Sequence, residues 1–99
     1  MQDLNDLVYF AEVVDRGGFA AAGRALGLPK SRLSRRVAEL EARLGVRLLQ
    51  RTTRKLSLTA VGEQYHRHCV AMREDAQAAQ DAVAQAQTEP RGTIRVACP

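Results

Sequence analysis

Apolar positions along the chain fall first into three helical patterns. Leu4, Leu7, Phe10 or Ala11, and Val14 recur at helical spacing. They predict a first helix over Leu4–Arg16, with Asp3 as its N-cap and Asp6 placing negative charge in the first turn, where the helix dipole favours it. Gly17 ends that helix, because glycine enters the left-handed C′ conformation without a Cβ clash. Phe19, Ala22 and Leu26 share one face of a short second helix over Phe19–Leu26, ended by Gly27. Residues 20–23 of it are all small, which lets another helix cross with axes about 8–10 Å apart. Leu33, Val37, Leu40 and Leu44 form one stripe of a third helix, with Pro29 in its first turn and Gly45 closing it.

The period then changes. Leu56 and Leu58 alternate with Lys55, Ser57 and Thr59, the rhythm of a half-buried strand. Leu48 and Gln50 begin its partner. Thr52 and Thr53 fall at the tip of this hairpin, with Arg51, Arg54 and Lys55 around it, so a β-wing with a basic, threonine-rich edge is expected. No glycine marks its turn.

From Thr59, which can act as a cap, one long helix is predicted to about residue 88. Tyr65, Cys69, Met72, Ala76, Ala79, Val83 and Ala86 are separated by alternating steps of four and three, a heptad seam. Gln77, Gln80, Asp81, Gln85 and Gln87 fill much of the outside. Such a helix extends roughly 40 Å, far more than a small headpiece can bury beyond the first turns, so the seam predicts a homodimer. Pro90 and Gly92 mark a hinge, and residues 93–97 alternate like the first strand of a further domain. The expected organisation is a headpiece over residues 1–58, a dimerisation helix over 59–88, and a hinge leading into a truncated domain over 89–99.

Ninety-nine residues carrying a net charge of +4 suit one small domain with an appendage, and exclude a Rossmann domain or a barrel enzyme. The longest apolar run, residues 7–11, is too short to span a membrane. Residues 1–3 open no signal-peptide pattern. Cys69 and Cys98 are a lone pair and not a disulfide framework, so a reducing cytoplasm is the expected compartment. The average charge conceals an asymmetry. Residues 30–55 contain nine basic and two acidic side chains, a net +7, and the remaining 73 residues sum to −3. Charge alone leaves a polyanion partner and a solvated helix face equally open. The spacing favours the first. Two short helices joined by a brief glycine-containing turn, the second carrying Arg32, Arg35, Arg36, Glu39 and Arg43 opposite its apolar stripe, read as a helix-turn-helix. Lys30, Ser31 and Ser34 lie near the N-terminal end of that second helix, the part such a motif lays in the DNA major groove.

These residues, in this order, resemble the N-terminal DNA-binding domain and linker helix of LysR-type bacterial transcriptional regulators. The resemblance rests on Leu4, Leu7, Phe10 and Val13; on Gly17, Gly18, Phe19 and Ala22; on Leu26 and Gly27 with Ser34 and Arg35; on Leu40, Glu41, Leu44, Gly45, Val46 and Leu48; on Arg51, Thr52 and Arg54; and on Leu58, Thr59 and Gly62. It implies a mostly α fold: a winged helix-turn-helix of three helices and a small β-wing, followed by a long dimerisation helix. It further implies sequence-specific binding of double-stranded DNA by a dimer, on partly palindromic promoter sites. DNA contacts would come from Lys30, Ser31, Arg32, Ser34 and Arg35 on the recognition helix, and from Arg51, Thr52, Arg54 and Lys55 on the wing. Full-length members commonly form tetramers and sense a small molecule through a C-terminal domain, so no cofactor is expected within these residues. Three departures are visible. Gly18 stands where serine usually caps the second helix. Pro29-Lys30-Ser31-Arg32 replaces the common Ser-Gln-Pro-Ala, and lysine favours guanine or phosphate where glutamine reads adenine. Leu49 stands where phenylalanine is common before the wing.

Two other functions compete with a regulator: an architectural coat binding DNA by charge alone, and a coiled-coil adaptor whose basic face is incidental. A pure coat needs no wing. His66, His68 and Cys69 spread around a helix without i, i+4 pairing, which argues for solvated histidines and a seam cysteine and against a metal site. With no phosphate loop, nucleophile–base set or carboxylate pair, catalysis is not expected.

Overall fold

The computed structural model describes residues 3–50 and 55–88. Along them run α1 (Leu4–Arg16), α2 (Phe19–Leu26), α3 (Lys30–Leu44), β1 (Leu49–Gln50), β2 (Ser57–Leu58) and α4 (Ala60–Thr88). The strands pair antiparallel, with Leu49 opposite Leu58 and Gln50 opposite Ser57. They form the base of the expected wing. Its expected tip, with Arg51, Thr52 and Arg54, lies outside the described residues, as does the expected hinge at 89–99.

Helix α1 is central and packs against α2, α3 and α4. Phe10, Ala11 and Val13 of α1 join Ala22, Leu33, Val37, Leu40, Leu48, Leu49 and Cys69 in one buried core. Burying each of the larger side chains contributes about 1.5–3 kcal/mol. Because three helices surround α1, its buried arc is wider than the single stripe expected. Val13 is fully enclosed, whereas Leu4 at the rim stays 55% exposed. On α3 the stripe holds at Leu33, Val37 and Leu40, but Leu44 is 36% exposed and Glu41 is buried beside Leu40.

The helix ends follow the local chemistry. Asp3 accepts a hydrogen bond from the Asn5 amide at 2.9 Å. That bond, with help from Arg36, holds the Asp3 carboxyl below its usual 3.8. Gly17, Gly27 and Gly45 all adopt positive φ. Gly18 supplies no side-chain cap to α2. Pro29 is the N-cap of α3, one position earlier than expected. In the small run of α2, Gly23 lies beneath the turn: a Cβ there would stand 2.7 Å from the Leu28 carbonyl oxygen. Its smallness thus admits the chain's own turn, and not only a crossing helix.

The segment at Leu48 joins α3, β1 and α4. One oxygen of Glu41 accepts from the Leu48 amide at 2.8 Å and from the Leu49 amide at 3.0 Å. On the other side the Leu48 carbonyl accepts from the Thr59 amide at 3.0 Å. The Thr59 hydroxyl donates to the Arg47 carbonyl at 2.7 Å and accepts from the Gly62 amide at 2.9 Å, capping α4 as expected. Gly62 approaches so closely that any Cβ would collide with the Leu48 carbonyl.

Glu41→Ala leaves two buried amides unsatisfied, and is expected to cost about 2–4 kcal/mol of stability. Gly62→Ala forces the first turn of α4 away from Leu48, and is expected to cost about 1–3 kcal/mol. Urea unfolding of both variants, read by helical circular dichroism, checks these values.

Candidate nucleic-acid interface

The glycine turn at Gly27 sets α3 against α2 and α1, with Leu33, Val37 and Leu40 inward. At about 100° per residue, Ser31, Arg35, Ala38 and Ala42 then face away from the core. Lys30, Ser31, Arg32 and Arg35 are exposed and Ser34 is half-buried. Among the described residues Lys30, Arg32 and Arg35 form no ion pair. The first turns of α3 therefore expose two guanidinium groups, an ammonium and the Ser31 hydroxyl, with the Ser34 hydroxyl half-buried among them. Lys55, at the base of the wing, is also exposed.

The other α3 arginines are arranged differently. Arg36 donates through Nε to Asp6 at 2.9 Å and through Nη2 to Asp3 at 2.8 Å. Arg43, seven residues further along the same side, donates to the second oxygen of Asp6 at 2.6 Å. The Arg36 guanidinium also lies over the Tyr9 ring, 5.5 Å from its centroid. Asp6, only 3% exposed, is thus held by two arginines. The hydrogen bond and charge of Asp6 raise the Arg36 pKa above its usual value. The basic block divides in two: Arg36 and Arg43 fasten α3 to α1, and Arg32 and Arg35 face outward. Sequence reading grouped all four on one face. The signal for the division is the pair Asp3 and Asp6, three residues apart on α1, matching Arg36 and Arg43 on α3.

A second polar cluster joins α4 to α1. His66 Nε2 lies 3.0 Å from Asp15 Oδ1. Arg73 Nη2 donates to Asp15 Oδ2 at 2.6 Å, and Arg73 Nη1 reaches Glu12 at 3.4 Å. Glu12 also accepts from Arg16 at 2.7 Å. Burial opposes the ionised form of Asp15, but bonds from Arg73 and His66 outweigh it and hold the carboxyl below its usual 3.8. His66 is therefore not a solvated histidine; its ring also meets the Phe10 edge at 6.4 Å. His68 is exposed.

The first part of the expected seam turns inward. Tyr65 meets Phe10 edge-on at 5.7 Å, and Cys69 is fully buried in the headpiece core. Burial pushes the Cys69 thiol up to about 11, partly offset by Arg73. Cys69 has no exposed surface left to meet a second chain, which corrects its assignment to the dimer seam, while Tyr65 remains half-buried. The reason is that Phe10 and the core they meet lie beneath the first turns of α4. Met72 is half-buried, while Ala76, Ala79, Val83 and Ala86 are exposed. Among the described residues no helix is long and apolar enough to cross a membrane.

Three packed helices, a two-stranded wing base and a projecting helix define a winged helix-turn-helix headpiece with a linker. The pattern of the bacterial regulatory helix-turn-helix proteins of the lysR family matches residues 4–63, and the chain belongs to that family. It is 50% identical over 97 residues to an HTH-type transcriptional regulator of Xanthomonas campestris, covering 98% of this chain and 28% of that protein. It superposes on CrgA, a LysR-type transcriptional regulator from Neisseria meningitidis, with a TM-score of 0.76 at 38% identity, over 93% of this chain and 31% of that one. The BenM DBD in its benA site 1 DNA complex matches with a TM-score of 0.80 at 25% identity, over 88% of this chain and 98% of that one. The chain spans less than a third of the curated relatives it matches.

Asp6→Ala removes the shared partner of Arg36 and Arg43 and is expected to lower stability by about 2 kcal/mol. Arg35→Ala, on the outward surface, should stay within about 0.5 kcal/mol; parallel urea melts compare the two.

Asp15 has a folded pKa below its unfolded one, so its contribution to stability is full above about pH 4 and is lost as pH falls through the folded value. The stability gap between wild type and Asp15→Asn should therefore be constant near neutrality and close on acidification. Denaturant melts at successive pH values measure that gap.

Proposed function

We propose that this chain is the DNA-binding and linker portion of a sequence-specific LysR-type transcriptional regulator, acting on double-stranded DNA as a homodimer. The observation that carries the reading is the division of the α3 arginines. Arg36 and Arg43, on the side that meets α1, are held by Asp3 and Asp6, leaving Arg32 and Arg35, with Lys30 and Ser31, exposed on the first turns beside half-buried Ser34. Arginine can pair bidentately with guanine O6 and N7, lysine suits guanine or phosphate, and serine is tolerant of either base type. Phosphate contacts fix register without reading sequence, a role suited to Arg51, Thr52, Arg54 and Lys55 of the wing. The DNA complex of the BenM DBD supports the same use of this fold.

The homodimer follows from α4. Met72, Ala76, Ala79, Val83 and Ala86 continue the heptad rhythm, and Val83 is 59% exposed within one chain. A second copy supplies the missing apolar partner. In the longer protein, the reading includes a hinge at residues 89–99 after the headpiece (1–58) and linker helix (59–88). A C-terminal domain there binds a small-molecule effector and supports a tetramer, in the cytoplasm. Catalysis has no part in it.

The test compares a promoter fragment with random DNA across a salt series. A regulator holds a specific excess of about 10³-fold or more at moderate salt, whereas equal affinities indicate a coat and no binding at low salt indicates an adaptor. Arg35→Ala is expected to weaken specific binding about 5- to 100-fold and to relax base preference, read by footprinting and titration. Ala79→Asp places an unpaired charge in the seam and should raise the dimer dissociation constant at least about tenfold, read by sedimentation.

A further inference from the structure

The polar cluster between α1 and α4 is not needed to bury the core, which Phe10, Tyr65 and Cys69 already accomplish at that junction. Its position is distinctive. Among the described residues Arg73 makes the last side-chain hydrogen bond from α4 to the headpiece, and every residue from 74 to 88 is exposed. Apolar packing is non-directional and permits small rotations. Charge-assisted hydrogen bonds fix direction as well as distance. Asp15 receives Arg73 and His66 on its two separate oxygens, two turns of α4 apart, and Glu12 steadies Arg73 from the preceding turn of α1. Two attachment points along one helix define a tilt, which a single point cannot.

From this geometry, and resting on the dimeric DNA-binding reading above, we infer that Asp15, Arg73, His66 and Glu12 form a clamp that sets the tilt of α4 on the headpiece. The clamp thereby determines the spacing of half-sites the dimer accepts. The lever beyond Arg73 is about 22 Å long. A tilt of about 10° moves its end by about 4 Å, close to the rise of about 3.4 Å per base pair. A small change at the clamp is therefore of the size that shifts register on DNA. Arg73 and Asp15 act as positioning residues. They touch no base, and their effect reaches DNA through the linker helix.

The test uses the full-length protein and a set of operators whose two half-sites are separated by spacers lengthened one base pair at a time. A duplex with a single half-site and a random duplex serve as controls. Wild type should show one optimal spacing. In Arg73→Ala and in the same-sized Asp15→Asn, discrimination between the optimum and its neighbours should fall at least about fivefold, or the optimum should move by one or two base pairs. Affinity for the single half-site should stay within about twofold. Arg73→Lys, which keeps the charge, should restore part of the discrimination. If Arg73→Ala fails to fold, Asp15→Asn decides the matter. A folded Asp15→Asn or Arg73→Ala with the wild-type spacing profile overturns the clamp and leaves the DNA-binding reading standing. Wild type binding random DNA as tightly as every operator overturns both.

Discussion

The backbone at Leu48 is held from two sides, and the relative positions of α3, the wing base and α4 depend on it. Glu41, buried on α3, accepts the amides of Leu48 and Leu49 on one oxygen. Thr59, at the entry to α4, returns a bond to the Leu48 carbonyl, and Gly62 allows the first turn of α4 to press against it. A buried amide or carboxylate without a partner is costly. Each group here satisfies another, so α3, the wing base and the linker helix share one fixed junction. The separation of α3 from the wing base is set at this junction.

A second constraint is the way charge is divided. Nine basic residues in one window would repel one another if all faced the same solvent. Asp6 binds Arg36 and Arg43 at the contact of α1 with α3, where the pair is partly shielded from water. On α3 the basic charge left without an ion pair among the described residues lies on its first turns, at Lys30, Arg32 and Arg35, while Arg47 and Lys55 are exposed near the wing base. The same acidic residues that dilute the net charge of the chain thus focus the charge of its exposed face.

Helix α4 belongs to two environments. Its first turns complete the headpiece core through Tyr65 and Cys69 and are fastened to α1 by His66 and Arg73. Its later turns, residues 74–88, are exposed along their whole length. The change occurs at Arg73 within an unbroken helix. Backbone hydrogen bonding carries the headpiece geometry outward along that helix, and side chains alone decide where attachment stops.

Much of this was legible from residue spacing. Periods of 3.6 and 2, with Asp3 and Thr59 as caps and glycines at Gly17, Gly27 and Gly45, determined the described helices to within a residue and located the wing base, whose second strand is shorter than the alternation over 55–59, because these are local properties of the backbone. The outward set Lys30, Ser31, Arg32 and Arg35 was equally legible, since opposite faces of one helix follow from its own repeat. Tertiary structure alone decided the rest. Spacing placed Arg36 and Arg43 with the other arginines, and only the approach of Asp6 from α1 separated them. Spacing made Tyr65 and Cys69 the start of a seam, and only the packing of α4 on the headpiece set Tyr65 against Phe10 and buried Cys69 in the core. Glu41 entered the sequence reading as a residue of the family motif, and only the folding back of the chain at Leu48 and Leu49 gave it two buried amides to hold. A single helix's periodicity defines which residues share a face, but the neighbour that face meets is set by the packing of the whole chain.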